Sequence, residues 1–98
     1  MAESRVEVEF TGPFREICGC RSFSLNVVEI SLLDLVKELG NRFGEAFGRR
    51  LGLDNGRYDG EAATVIVNGV VVEGSKLKEK VVKSGDRVVF APSLAGGG

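Results

Sequence analysis

The sequence has no histidine. That removes the side chain most often used to move protons at neutral pH and the commonest metal ligand. Cysteine is almost as scarce: Cys18 and Cys20 flank Gly19 and have no third partner. A disulfide between residues two apart is strained, a cytoplasm keeps thiols reduced, and a structural metal site needs more ligands than these. The plain reading is two small, partly buried residues in a turn, with persulfide handling as the functional alternative. Charge of one sign is lacking too, since 13 basic and 14 acidic residues leave a net charge of −1. Such a balance gives no overall field to draw in nucleic acid or anionic lipid. No apolar run approaches the roughly 18 residues that cross a bilayer. The start, Met1 to Arg5, has no charged-then-apolar signal layout, so a cytoplasmic protein is expected. No phosphate loop, nucleophile-and-base pair or metal-binding spacing occurs, so a catalytic side chain is not expected.

What is present is a chain with the composition of a globular protein, 43% hydrophobic and 28% charged, at a length that holds a single core. Arg5 to Thr11 alternates apolar and polar residues and predicts a strand with Val6, Val8 and Phe10 inward. Gly12-Pro13 signals a turn, Phe14 to Cys20 reads as a loop, and Arg21 to Val27 alternates again with Phe23, Leu25 and Val27 inward. These two strands are expected to pair antiparallel. Ser31-Leu32-Leu33-Asp34 resembles a capping box. It opens a helix whose apolar stripe is Leu32, Leu35, Val36, Leu39 and Phe43, ending between Gly40 and Gly44. From 44 to 62 the chain is rich in Gly, Arg and Asp and reads as an elaboration, with one more helical turn around Ala46, Phe47 and Leu51.

The β-branched run Ala63 to Val67 predicts a central strand, Asn68-Gly69 a tight hairpin, and Val70 to Val72 its return. Between Gly74 and Lys83, Leu77 and Val81 stand at helical spacing, which predicts a turn or short helix. Ser84-Gly85-Asp86 leads into a last strand, Arg87 to Ala91, which Pro92 ends by removing a ladder donor. The economical assembly is an α+β β-grasp, a mixed sheet of about five strands with one main helix across one face. It would span residues 1–92, followed by a flexible glycine-rich tail over 93–98.

The tail ends Gly96-Gly97-Gly98. Three glycines pack almost nothing, and on their own they are most simply a frayed end or a linker. The functional alternative is a tail threaded through a narrow channel in a partner enzyme, where a Cβ would clash. Phe14 falls in the predicted loop, Phe47 in the 44–62 segment and Leu94 in the tail. Leu94, Pro92 and Phe14 are candidate docking residues if exposed, while core burial is the plainer reading of Phe47. The lysines at 76, 78, 80 and 83 and the arginines at 49 and 50 read as solvated surface.

Taken in order, Val65-Ile66-Val67-Asn68-Gly69, Gly85-Asp86, Val88-Val89-Phe90, Pro92 and the final glycines resemble the MoaD/ThiS family of ubiquitin-like sulfur carriers. The resemblance covers most of the chain, and its specific motifs lie in the C-terminal third. The length is closer to the molybdopterin-synthase small subunit than to the shorter thiamine carrier. Two departures stand out: the long 44–62 stretch, and one glycine beyond the common terminal pair. The second leaves either Gly97 or Gly98 as the reactive terminus.

The resemblance implies a carrier with no bound cofactor and no catalytic side chain of its own. A separate ubiquitin-activating-like adenylyltransferase would use ATP and Mg²⁺ to adenylate the terminal carboxylate. A persulfide sulfur would then displace AMP and leave a thiocarboxylate. In the large subunit of molybdopterin synthase, that sulfur would be given to a pterin to build the dithiolene that holds molybdenum or tungsten. Two related roles share the activated tail: a ubiquitin-like modifier joined to lysines of target proteins, and a thiamine-type sulfur carrier. A β-grasp module that binds partners without using its tail is the remaining alternative.

Overall fold

The computed structural model describes residues 4–93. Strand β1 is Val6–Phe10, helix α1 Pro13–Cys18, β2 Ser22–Leu25 and β3 Glu29–Ser31. Helices α2, Leu32–Phe43, and α3, Glu45–Leu51, come next. The chain then forms β4 Ala63–Val67, β5 Val70–Val72, a 3₁₀ turn at Gly74–Lys76, β6 Val81–Lys83 and β7 Arg87–Pro92. Five strands make one mixed sheet in the order β2-β1-β7-β4-β5, and β3 pairs with β6 in a separate two-stranded ribbon. β1 runs antiparallel to β2 and parallel to β7, while β4 is antiparallel to both β7 and β5. This is a β-grasp, with α2 as its longest helix.

The alternation read from the sequence fixes which face is covered. Val6, Val8, Phe10, Val65, Val67, Val88 and Phe90 are all buried, and α2 answers them with Leu32, Leu35, Val36 and Leu39. Ser31 caps α2, its Oγ accepting the Asp34 N–H at 3.1 Å. The same core takes in four phenylalanines from four elements. Phe47 lies 5.1 Å from Phe90 and 5.5 Å from Phe14 between ring centroids, mostly edge-to-face, and Phe10 lies 5.9 Å from Phe47.

The structure departs from the sequence pattern at several places. The segment from Phe14 is not a loop: Pro13 starts α1 with φ already helical, and Phe14 points into the core with no exposure. Phe14 is therefore not a docking residue. The second predicted strand is shorter than expected, and a separate strand at 29–31 comes after it. Val81 does not share a helix with Leu77. It lies in β6 opposite Ser31, half-exposed, while Leu77 is buried beneath the 3₁₀ turn region. The 44–62 stretch is not an appendage, because Phe47, Leu51 and Tyr58 are buried in the main cluster.

Candidate functional site

β7 carries the chain toward its C-terminal glycines, so the site is built from the contacts that hold this strand. It is the central strand, hydrogen-bonded to β1 on one side and to β4 on the other. A central position gives it two ladders, and an isolated opening there breaks both.

Both ends of β7 are fastened. At its entry, Asn68 at the β4–β5 turn bridges to the turn before β7. Asn68 Nδ2 donates to Asp86 Oδ1 at 3.0 Å, and Asn68 Oδ1 accepts the Arg87 N–H at 3.0 Å. Asp86 Oδ2 also accepts the Lys83 N–H at 2.8 Å. That backbone donor, then the Asn68 amide, hold the Asp86 carboxyl below the usual carboxylate range. The turn needs left-handed backbone at both central residues, φ 50° at Asn68 and 84° at Gly69, which Asn tolerates and Gly adopts freely.

At its exit, Phe90 O accepts both the N–H (3.0 Å) and the hydroxyl (3.2 Å) of Thr11. Gly12 has φ 56° and lies under Pro92, where a Cβ would come within 3.2 Å of Pro92 Cδ. On the other side Pro92 pairs with Ala63, and Ser93 Oγ donates to Gly60 O at 3.0 Å. Pro92 is exposed and is the last residue of β7, so it ends the strand as the sequence implied. The chain thus leaves the middle of the sheet between the 11–12 turn and the 59–62 loop. Leu94 and the glycines Gly96, Gly97 and Gly98 lie outside the described residues.

The loop beside this exit belongs to the 44–62 segment. Tyr58 is buried, and its hydroxyl donates to Val72 O and accepts the Val65 N–H, clipping the rung that joins β4 to β5. Burial pushes the Tyr58 phenol up. Its backbone lies against Gly74, where a Cβ would stand 1.9 Å from Tyr58 O. Nothing in the sequence pattern singled out Tyr58 or Gly74. The signal available was only a glycine two residues beyond a strand, which can mark close backbone approach or a plain turn.

The uncovered face of the sheet adjoins the exit. Val71 pairs with Ile66 and Ile66 with Val89, so the three side chains form one row pointing away from the helices. Thr64 and Ala91 form the next row, nearer the exit, and there Thr64 is already buried. Val71 is 52% exposed. The row ends at Glu9 on β1, which pairs with Arg87 of β7 at 3.2 Å. The sequence pattern did not single out this apolar row, because Ile66 and Val71 read as ordinary strand residues.

The five-stranded mixed sheet with α2 packed across one face defines a ubiquitin-like β-grasp domain. The model of the ThiS family matches residues 8–97, and the chain belongs to that family. No curated protein matches it in sequence. Among solved structures, it is similar to a candidate molybdopterin converting factor subunit 1 from Pyrococcus furiosus, with 26% identity and a TM-score of 0.71, covering 92% of this chain and 98% of that one. The small archaeal modifier protein 1 of Haloferax volcanii shares the fold at 19% identity and TM-score 0.73, covering 92% and 98%. So does Urm1 from Trypanosoma brucei, at 24% and 0.72, covering 98% and 99%. Family and fold together support a sulfur carrier or a ubiquitin-like modifier. No helix among the described residues is long and apolar enough to cross a membrane.

Proposed function

We propose that this chain carries sulfur as a C-terminal thiocarboxylate for molybdopterin-type cofactor assembly, in the role of a synthase small subunit. The carrying observation is the double fastening of β7. A strand locked at Asn68–Asp86 and again at Thr11–Phe90 presents the chain beyond Ser93 from a fixed point, so that a partner positions the end without first ordering the domain.

On this reading Gly96, Gly97 and Gly98 enter the active site of an adenylyltransferase. A terminal carboxylate oxygen attacks the α-phosphorus of Mg²⁺-bound ATP, pyrophosphate leaves, and the acyl-adenylate is made. A persulfide sulfur attacks the acyl carbon, AMP leaves, and reductive cleavage of the acyl persulfide by a thiol yields the thiocarboxylate. The domain contributes binding and reach, and the acid–base work falls to the partners. The apolar row Val71, Ile66 and Val89, together with Pro92 and Leu94, supplies the docking contacts on the carrier. The similarity to the Pyrococcus protein favours the molybdopterin role over the thiamine one.

The test is the intact mass of the chain after incubation with the activating enzyme of the same cell, ATP, Mg²⁺, a persulfide donor and a thiol reductant. A gain equal to the exchange of one oxygen for sulfur, lost when Gly97 and Gly98 are deleted, supports the carrier reading. Transfer of that sulfur to a pterin acceptor then separates the molybdopterin role from the thiamine role. Conjugates to lysine in place of that gain support the modifier reading, in which the same activated end forms an isopeptide bond.

A further inference from the structure

The chain has two asparagine–glycine pairs in tight turns, and their surroundings differ. One is Asn68-Gly69, at the β4–β5 hairpin. The other is Asn55-Gly56, in the turn closed by Asp54 and Arg57, whose backbones exchange hydrogen bonds at 2.9 and 3.0 Å. The backbone is nearly the same in both turns: φ is 51° and 76° at Asn55 and Gly56, against 50° and 84° at Asn68 and Gly69. Both asparagines are exposed.

The contrast lies in the side chains. The Asn68 amide is held at both ends, Nδ2 donating to Asp86 Oδ1 and Oδ1 accepting the Arg87 N–H, each at 3.0 Å. Among the described residues, neither the Asn55 amide nor the Gly56 N–H makes a hydrogen bond. An asparagine before glycine is open to attack on its side-chain carbonyl carbon by the next backbone nitrogen, because glycine has no side chain to obstruct the approach. The attack requires the amide to turn over the following peptide bond. At Asn68 that turn first breaks two hydrogen bonds, and at Asn55 it breaks none. With the backbone shared, this difference divides the two rates.

We propose that Asn55 is a site of spontaneous deamidation, and that the Asn68–Asp86 contact protects the other pair. The Gly56 backbone nitrogen gives up its proton and bonds to Asn55 Cγ, the Cγ–Nδ2 bond breaks, and ammonia leaves with that proton, closing a succinimide. Water then opens the ring. Cleavage of the bond between the Gly56 nitrogen and Cγ gives aspartate. Cleavage of its bond to the Asn55 main-chain carbonyl carbon gives isoaspartate. Nothing is oxidised or reduced, and water is the only co-reactant. Either product places a new carboxylate beside Asp54. Isoaspartate also lengthens the backbone inside the turn that leads to Arg57 and the buried Tyr58.

The experiment ages the full-length chain in mildly alkaline buffer at physiological temperature, both folded and in urea. Mass spectrometry of proteolytic fragments follows the amide-to-acid mass gain at each site. In the folded chain Asn55 should react roughly tenfold or more ahead of Asn68, the rate equivalent of hydrogen bonds that must break first. In urea the gap should close. Asn55→Gln should remove the early gain. Asp86→Ala, confirmed as folded by circular dichroism, takes away the acceptor of Asn68 Nδ2 and should speed the reaction at Asn68. The proposal is overturned if the two sites react alike in the folded parent, or if neither reacts there while the unfolded chain does. It is also overturned if the lag at Asn68 persists undiminished in urea, because the local sequence would then explain it, or if folded Asp86→Ala leaves the Asn68 rate unchanged.

Discussion

Asn68 and Asp86, 18 positions apart in sequence, are locked side chain to side chain at 3.0 Å, and the same Asn68 amide accepts the N–H of Arg87 at the first position of β7. Two short motifs that look like independent turn signals are therefore one clamp. It sets the register of the strand that leads to the glycines. Removing the clamp with Asn68→Ala gives up both bonds and puts a side chain that prefers φ < 0 at φ 50°. The expected cost is about 1–3 kcal/mol, seen as a lower midpoint in urea at unchanged slope. Asn68→Gly keeps the backbone conformation and loses only the bonds, so its midpoint should lie between those of the parent and the alanine variant.

Asp86 makes the clamp sensitive to acid. Its carboxyl is held below the ordinary range, first by the Lys83 N–H and then by Asn68, so the fold favours the charged form. Such a group stabilises the fold above its unfolded value, near pH 4, and that contribution is lost as pH falls through its lower folded value. Asp86→Asn should be less stable than the parent at neutral pH. The gap should close as the medium is acidified below about pH 4. Urea midpoints measured from about pH 7 down to about pH 2.5 check this, and a gap that widens on acidification contradicts it.

The segment between α2 and β4 is expected to be indispensable. Phe47 is fully buried among Phe10, Phe14 and Phe90, so Phe47→Ala should cost about 3–5 kcal/mol. Calorimetry or denaturant unfolding reads this directly. A loss near zero would mean that α3 is detachable from the core.

Gly74 tests the packing of Tyr58 in the same way. A methyl group there would meet the Tyr58 carbonyl oxygen at 1.9 Å, backbone against side chain, with no rotamer to relieve it. Gly74→Ala should destabilise by about 3 kcal/mol, at the upper end of overpacking costs. Tyr58→Phe removes only the hydroxyl bonds to Val72 O and Val65 N–H. It should cost about 1–2 kcal/mol. The ordering of the two variants on one denaturation scale is the check.

The range of each interaction decides how much of the molecule was legible in the sequence. β1, α2 and the β4–β5 hairpin could be read because Val6-Val8-Phe10, the Leu32–Leu39 stripe and Asn68-Gly69 are local patterns with a fixed period. α1 could not, because six residues give less than two turns of periodicity and Pro13 reads equally well as a turn. β3 and β6 are three residues each and exist by pairing with one another across about fifty positions, which no local pattern carries. Phe14 was misplaced for the same reason, since its burial is decided by Phe47 and Phe90, both distant in sequence. At the candidate site the motif residues were legible as a family pattern. The structure adds why Asn68 and Asp86 belong together, and it adds the Val71–Ile66–Val89 row, which exists only once three strands are aligned.

That row separates docking from stability. Ile66 lies on the uncovered face between Val71 and Val89, and its side chain contributes little to the helix-side core. Ile66→Asp should therefore cost about 1–2 kcal/mol, less than the core substitution Phe47→Ala, with the aspartate half-buried on the face away from the helices. An activating enzyme that docks on the row loses apolar contact and must also desolvate a carboxylate, which together weaken binding by about 2 kcal/mol or more. In an adenylation assay the expected signature is a KM raised roughly thirtyfold with kcat near the parent value, because the glycines still reach the same chemistry once bound. A fall in kcat at unchanged KM would show instead that Ile66 acts on how the tail is presented. Unchanged kinetics would remove the open face from the docking surface and leave the region of Pro92 and the 59–62 loop to carry it.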